Sequence, residues 1–382
     1  MATLTLDRVD KIYRPRRKEP VHAVRSFSMT VADGEIVGLL GSSGCGKTST
    51  LRMVAGFEEV SGGEIRLGQR RVDRLAPKDR NVAMAFEGYA LYPPLRIRDN
   101  VGFALLRERR SAAEVRRKVD EIAGLLEIGE VLDRYPPTIS AGQQQRASLA
   151  RALIRDADLF LLDEPMGQLE PRLRAILRAR IKDWIIQRKL TTIIVTHDQT
   201  EALALCDRIA VMEAGVLRQL GTPEELKERP TDLFVASFTG EPPMNILDSA
   251  ASVADGRLRL HAKRPDGAAA FTLELPAGEA AAAVGGRPAI SLGIRPHRIR
   301  VGADGPFAAT VVSNQWLGDQ SHLGLDLGGC LLVAVTDGDV AAAPGDRVRL
   351  AFPPDAVHLF DTETGQALAH GLTRADRALV AA

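Results

Sequence analysis

The spacing of apolar residues changes along the chain, and the change divides it. Ile36-Val-Gly-Leu-Leu40, Asp158-Leu-Phe-Leu-Leu162 and Thr191-Thr-Ile-Ile-Val195 are short, nearly continuous apolar runs. Such runs predict strands buried on both faces. Met1 to Asp10 alternates apolar and polar positions and predicts an edge strand. Helical periods lie between. Ser111-Ala-Ala-Glu114 reads as a capping box, after which Val115, Val119, Ile122 and Leu126 share one face of a helix over 111–128. Pro171 opens a second helix that runs to Gln187, with Leu173, Ile176, Leu177, Ile181 and Trp184 as its stripe. Thr222-Pro-Glu-Glu225 is another capping box with proline in the first turn. Strands alternating with helices predict a mostly parallel sheet covered on both faces, with ligand groups at the carboxyl ends of its strands.

Beyond Glu241-Pro-Pro-Met244, a stiff connector, the helical period fades. Ala289 to Val301, Ala308 to Ser313, Cys330 to Thr336, Asp346 to Phe352 and Ala356 to Phe360 read as short strands punctuated by Gly, Pro and Asp. They predict a small β-barrel. The Ala/Gly-rich stretches at 267–270 and 276–286 read as hairpin loops or insertions, and His370 to Ala382 as a fraying tail or short helix. The expected domains are therefore 1–237 and 238–382.

Candidate chemistry is concentrated in Gly41-Ser42-Ser43-Gly44-Cys45-Gly46-Lys47-Thr48, followed by Ser49, which fits G-x-x-x-x-G-K-[ST]. Glycines let the backbone wrap a phosphate chain so that several N–H groups point at its oxygens, and the following helix adds its positive end. Lys47 supplies a mobile charge for the β- and γ-phosphates, and the Thr48 hydroxyl can ligate Mg²⁺. A Gly/Ser-rich turn by chance would not sit between a buried strand and a helix. Asp163-Glu164 and His197 also follow strand ends, so all three can converge on one nucleotide. Cys45 is expected to act as small filler inside the loop.

Composition narrows the setting. At 382 residues and 45% hydrophobic, the chain is long enough for two or three cores, and 4% aromatics suggests an aliphatic α/β interior. A net charge of +1 argues against nucleic acid as the main partner. Cys45, Cys206 and Cys330 follow no metal-ligand spacing, as in a reducing cytosol. The first residues read as a strand followed by a basic segment rather than as a signal peptide, and no apolar run reaches the roughly 18–20 residues of a membrane helix. Any membrane role is expected to come through a partner.

With these motifs in place, the chain resembles the ATPase subunits of ABC transporters. Gly41–Thr48 is similar to a Walker A motif, Leu159-Phe-Leu-Leu-Asp163-Glu164-Pro165 to a Walker B with its catalytic glutamate, Ile139-Ser-Ala-Gly-Gln143 to the ABC signature, and His197 to the switch histidine. Tyr89-Ala-Leu-Tyr-Pro93, Gly221-Thr-Pro-Glu-Glu225, Pro242-Pro-Met-Asn245 and Gly293-Ile-Arg-Pro-His297 resemble the carbohydrate-importer branch, which includes maltose, trehalose and glycerol-phosphate importers. The resemblance implies an α/β P-loop ABC ATPase domain, a RecA-like core with a helical subdomain at about residues 90–157. An all-β OB-like regulatory domain would follow. It implies ATP and Mg²⁺ as ligands, with Tyr13 stacked on adenine. Asp163, Thr48 and Glu87 would stand at the metal, Glu164 would polarise the attacking water, and Lys47 and His197 would contact the γ-phosphate. Ser140, Gly142 and Gln143 would reach the nucleotide of a second ATPase subunit in a head-to-tail dimer. The implied partners are transmembrane permease subunits, with the Tyr89–Pro94 segment lining their docking groove, and indirectly an extracytoplasmic solute-binding protein. The implied location is the cytoplasmic face of the inner membrane.

Three positions depart from the family pattern. Glu87 stands where glutamine is usual, Ala141 replaces a signature glycine, and Gly167-Gln-Leu-Glu170 ends in glutamate instead of aspartate. Two readings follow: a weakened partner in an asymmetric ATPase heterodimer, or neutral drift in a working homodimer. A non-hydrolysing regulatory subunit would be expected to lack Lys47, Glu164 or His197, and all are present. An ABC-type ATPase acting on DNA or ribosomes would be expected to carry tandem cassettes or basic patches, and neither is visible.

Overall fold

A computed structural model describes residues 2–16, 19–276, 281–282, 284–287, 289–302 and 304–371. They form two compact units, Met1–Pro223 and Glu224–Ala382.

The first unit contains β1 (Leu4–Tyr13), β2 (Val21–Val31), β3 (Ile36–Gly41), α1 (Lys47–Ala55), β4 (Gly62–Leu67), β5 (Arg70–Arg71) and β6 (Val82–Ala85). It continues through α2 (Ile97–Arg107), α3 (Ala112–Leu125), α4 (Ala141–Leu153), β7 (Leu159–Asp163), α5 (Pro171–Arg188), β8 (Thr192–Val195), α6 (Gln199–Leu205), β9 (Arg208–Glu213) and β10 (Val216–Gly221). Six strands form one sheet in the order β10-β9-β3-β8-β7-β6. All pairings within it are parallel except that of β10 on the edge. The three apolar runs become β3, β7 and β8, each buried along its whole length. They are neighbours, so their carboxyl ends lie side by side.

β1 corrects the expectation of an edge strand. It lies inside a four-stranded antiparallel sheet of order β2-β1-β4-β5. Register shifts after Leu6 make Leu4, Leu6 and Val9 the buried positions, and they share a core with Val37, Leu39 and Leu51. The partner β4, Gly62-Gly-Glu-Ile-Arg-Leu67, carries too few apolar residues to announce itself. α5 also departs from its expected stripe. Leu177, Ile181 and Ile185 are buried, whereas Ile176 is 40% exposed. A strict i, i+4, i+8 line is narrower than the stripe the spacing suggested. In α3, the Ser111 hydroxyl accepts from the Glu114 N–H at 3.2 Å as expected, but the Glu114 carboxylate is taken by Arg110.

The second unit begins with α7 (Pro223–Glu228) and α8 (Leu233–Phe238) and is otherwise β. Its strands are β11 (Asn245–Ala254), β12 (Arg257–Lys263), β13 (Ala269–Pro276), β14 (Ala289–Ile294), β15 (Arg300–Gly302) and β16 (Phe307–Trp316). Then come β17 (Gln320–Leu327), β18 (Cys330–Asp337), β19 (Arg347–Ala351), β20 (Val357–Asp361) and β21 (Ala367–His370). Two antiparallel sheets, β13-β12-β11-β14-β20-β21 and β15-β19-β16-β17-β18, enclose one core that includes Leu260, Leu292, Leu325, Leu350 and Leu359. The stretch expected as one strand from Ala289 to Val301 is broken by a 3₁₀ turn at Pro296–Arg298. Ala269 and Ala270, expected in a hairpin loop, open β13 instead, and the turn is confined to the residues before them. Part of the 276–286 stretch and the tail beyond Gly371 lie outside the described residues.

The Gly293-Ile-Arg-Pro-His297 run has a structural task. Arg295 is almost wholly buried, and its guanidinium donates to Ala236 O at 3.0 Å, to Lys227 O at 2.9 Å and to Thr239 O. These acceptors lie at the ends of α7 and α8, where last-turn carbonyls lack helical partners and the dipole is negative. One cation thereby holds two short helices. Burial lowers its pKa to about 10, which leaves it charged at neutral pH.

Candidate functional site

β3 delivers the Gly41–Thr48 loop to the start of α1. Gly46 has φ 106°, and a Cβ there would lie 2.4 Å from Ala23 O. A Cβ on Gly41 would lie 2.3 Å from Met212 O. No side chain at these positions could be accommodated without moving backbone, so the loop is closed down onto the sheet by glycine alone. The α1 N-terminus has no side-chain cap, which leaves its first N–H groups for an anion. Ser42, Ser43, Gly44 and Thr48 are exposed around it. Lys47 folds back over the loop, buried, and its Nζ donates to Gly41 O at 2.7 Å and Ser42 O at 3.0 Å. Among the described residues no carboxylate pairs with it, so its charge is uncommitted. Cys45 is buried and fills the space beside Gly41, which fits the filler reading. Tyr13, at the end of β1, places its hydroxyl 3.1 Å from Ser49 Oγ, and Lys11 Nζ lies 4.7 Å from its ring centroid. An aromatic face thus stands beside the phosphate cradle.

Two strands along, β7 ends in Asp163. It is buried, its Oδ1 has no hydrogen-bond partner among the described residues, and its pKa is raised to about 6. Burial is the main cause, followed by the negative charges of Glu87 and Glu164. An orphaned carboxylate oxygen held among acids suits a cation. Glu164 follows at φ 48°, and its N–H donates to Val195 O at 2.9 Å across the sheet. His197, after β8, brings Nδ1 to 2.9 Å from Glu164 Oε1 while its ring stays mostly exposed. No three His, Cys, Asp or Glu side chains are grouped as metal ligands among the described residues. Mg²⁺ is commonly held by one or two protein groups together with substrate phosphates. Glu87 is exposed in the loop after β6.

Sequence reasoning passed over the residues behind this row. Gln145 of α4 is buried, donates to Glu164 O at 2.8 Å and accepts from Gln168 N at 2.9 Å, and so fixes the backbone on both sides of Gly167. Glu201 of α6 is also buried, and its Oε2 accepts from the Thr196 hydroxyl at 2.6 Å, one residue before His197. Burial, opposed by the Thr196 bond, raises its pKa from 4.5 to about 7. A raised carboxyl pKa means that the folded state holds its proton more tightly than the unfolded chain. This contribution is complete below pH 4.5 and is lost as pH rises through about 7. The loss amounts to about 3 kcal/mol by pH 8. Glu201→Gln keeps an acceptor for Thr196 and has no proton to lose. Its thermal unfolding is expected to match the parent near pH 4 and to exceed it by several degrees at pH 8. Parallel pH profiles for the two proteins would refute this.

Ser140, Gly142 and Gln143 open α4. The Ser140 hydroxyl accepts from the Gln143 N–H at 3.3 Å, and the Gln143 side chain returns the bond to the Ser140 N–H at 3.0 Å. A Cβ on Gly142 would approach Gln168 O to 3.3 Å, whereas Ala141 is exposed. Among the described residues no hydrogen bond or ion pair links these three to the Gly41–Ser49 segment. Glu170, at the N-cap of α5, makes no side-chain cap bond. Aspartate there would be a favoured cap, and the longer glutamate is not.

A glycine cradle, an acidic strand end and a strand-end histidine on adjacent parallel strands define a P-loop nucleotide-binding ATPase. Comparison with known proteins narrows the class. The ABC transporter family matches residues 24–167 and the TOBE domain matches residues 292–360. The xylose/arabinose import ATP-binding protein XacK of Haloferax volcanii is 41% identical over 99% of this chain and 98% of its own length. The sn-glycerol-3-phosphate import ATP-binding protein UgpC of Cereibacter sphaeroides is 40% identical over 96% of this chain and 100% of its own. A solved dimeric bacterial ABC transporter cassette superposes with a TM-score of 0.54 at 25% identity, covering 58% of this chain and 98% of that one. The chain belongs to the ATP-binding subunits of ABC importers, with an ABC ATPase cassette and a C-terminal all-β TOBE domain.

Proposed function

We propose that this chain hydrolyses ATP to power import of a sugar or related polyol, working as a head-to-tail dimer beneath membrane permease subunits. The observation that carries it is the convergence of Gly41–Thr48, Asp163-Glu164 and His197 on the neighbouring strands β3, β7 and β8. The curated relatives named above are import ATP-binding proteins for xylose/arabinose and glycerol phosphate, which supports the substrate class. No helix of the described residues is long and apolar enough to cross a membrane. On the importer reading, which the relatives support, attachment is peripheral, through the permease on its cytoplasmic side.

The loop N–H groups and Lys47 bind the phosphate chain, and Tyr13 stacks on the base. Thr48, Asp163 and Glu87 would hold Mg²⁺, which neutralises phosphate charge when bound. Glu164 polarises the attacking water. His197, whose Nδ1 lies 2.9 Å from Glu164 Oε1, would free that carboxylate by turning to the γ-phosphate. Ser140, Gly142 and Gln143, uncommitted to this chain's own cradle, complete the site of the second subunit through the start of α4. An extracytoplasmic binding protein delivers the solute. The test is purification of the transporter with its permease: solute-dependent ATP hydrolysis is expected, and hydrolysis indifferent to every sugar and polyol would reject the substrate class.

A second reading is favoured by Glu87, whose charge helps keep the proton on Asp163, and by the missing cap at Glu170. It pairs this chain with a more regular ATPase in an asymmetric heterodimer. Two copies of this one chain in the purified transporter would sink it. Glu87→Gln separately removes the larger of the two acidic influences on Asp163. Asp163 should then ionise at lower pH, and Mg²⁺-dependent ATP binding should begin at lower pH with a changed solute-stimulated rate. An unchanged profile and rate would make Glu87 incidental.

A further inference from the structure

Arg151, near the end of α4, is a half-buried cation without a counter-ion. Among the described residues no carboxylate lies within ion-pair distance of it. Its Nη1 donates to Ala90 O at 2.7 Å, and its guanidinium carbon lies 5.5 Å from the Tyr92 ring centroid. Burial makes its charged form less favourable, and Tyr92 offsets part of that. A desolvated arginine held only by a carbonyl and an aromatic face is a poor device for stability.

What it holds is the segment after Glu87. Tyr89 and Ala90 have φ of 26° and 47°, in the left-handed region that non-glycine residues avoid. The far side of the segment is fixed separately. Asn100 of α2, fully buried, accepts from Tyr92 N at 2.7 Å and donates to Tyr92 O at 3.1 Å, Leu95 O at 3.0 Å and Arg96 O at 3.2 Å. Phe103 of α2 packs on Tyr92 with ring centroids 4.8 Å apart. Residues 92–96 are therefore held by Asn100 of α2, while Arg151 ties Ala90 and the Tyr92 ring to α4. The other end of α4 carries Ser140 to Gln143. A helix of 13 residues is a stiff rod about 20 Å long, so a displacement at one end is felt at the other.

We infer that Arg151 is a positioning residue that couples the Glu87–Pro94 loop to the signature end of α4. When a permease segment displaces the loop, Ala90 and Tyr92 carry Arg151 and the whole helix with them. Ser140, Gly142 and Gln143 are thereby re-aimed at the partner subunit's nucleotide. The inference rests on the importer reading above, in which this loop meets the permease.

The test uses the complete transporter in liposomes and compares ATP hydrolysis with and without solute. Arg151→Met is expected to leave the solute-free rate and the ATP affinity within about twofold, while the solute-stimulated rate falls by about tenfold. Arg151→Lys, which can still donate to Ala90 O and sit on Tyr92 but lacks the planar fork, is expected to lose about threefold. Equal falls in both rates, or full stimulation in Arg151→Met, would overturn the inference. Should Arg151→Met fail to fold, Arg151→Lys and Tyr92→Leu decide. Both must lower the stimulated rate relative to the solute-free rate, and an unchanged ratio overturns the inference. Parent transporter without solute stimulation would strike the importer reading instead, so the two failures are distinguishable.

Discussion

Glu164→Gln is expected to lower ATP turnover by about 10²–10³-fold while leaving ATP affinity within about twofold. The carboxylate stands at the end of β7, half-enclosed, with Oε1 2.9 Å from His197 Nδ1. Glutamine matches its shape and keeps an oxygen for His197, so the backbone bond from Glu164 N to Val195 O need not change. What disappears is the charge that draws a proton from water. A base acting in the transition state but not in ground-state binding affects turnover and spares affinity. ATP bound but not cleaved should also hold two cassettes together, so the variant should elute as a dimer with ATP. Phosphate release, equilibrium binding and size-exclusion chromatography check the three parts. Turnover near the parent rate would remove Glu164 from its assigned role.

Lys47→Met is expected to weaken ATP binding by about 10–100-fold, the range of one or two lost charge-assisted hydrogen bonds. The site gives two reasons. Lys47 supplies an unpaired positive charge at the cradle, and it also braces the loop through the carbonyls of Gly41 and Ser42. Methionine keeps the stem and loses both. Because the loop glycines are set by Ala23 and Met212 rather than by Lys47, the fold should survive with little change in melting temperature. Calorimetric titration with ATP measures the effect. Parent-like affinity would show that the backbone cradle alone binds the phosphates.

The chemistry most legible in the sequence is the chemistry that constrains residue type at fixed spacing. Gly41, Gly46 and Lys47 could be read because a wrapped phosphate loop leaves no alternatives. Asp163 and His197 could be read because each ends an apolar run. The supporting residues gave no such signal. Gln145 and Glu201 act through bonds to Glu164 O and Thr196, and neither partner is near in sequence or marked by a pattern. Arg295 and Arg151 bond backbone carbonyls, an acceptor every residue offers, so nothing in the sequence points to their targets. In the β domain, β11, β12, β13, β17 and β21 go unpredicted. β17 alternates Ser321, Leu323, Leu325 and Leu327 toward the core, but its other positions are polar. β1 reads as an edge strand because its partner β4 is glycine-rich and polar and so gives no strand signal of its own. Antiparallel pairing is a long-range fact that local alternation cannot carry.

The central claim is that the strand-end row spends ATP on solute movement. Its most direct measurement is ATP hydrolysis and solute uptake in the same liposomes bearing the complete transporter. Hydrolysis should rise when binding protein and sugar or polyol are supplied, track uptake, and vanish with Glu164→Gln. Hydrolysis that proceeds at one rate whether or not solute moves would contradict the claim.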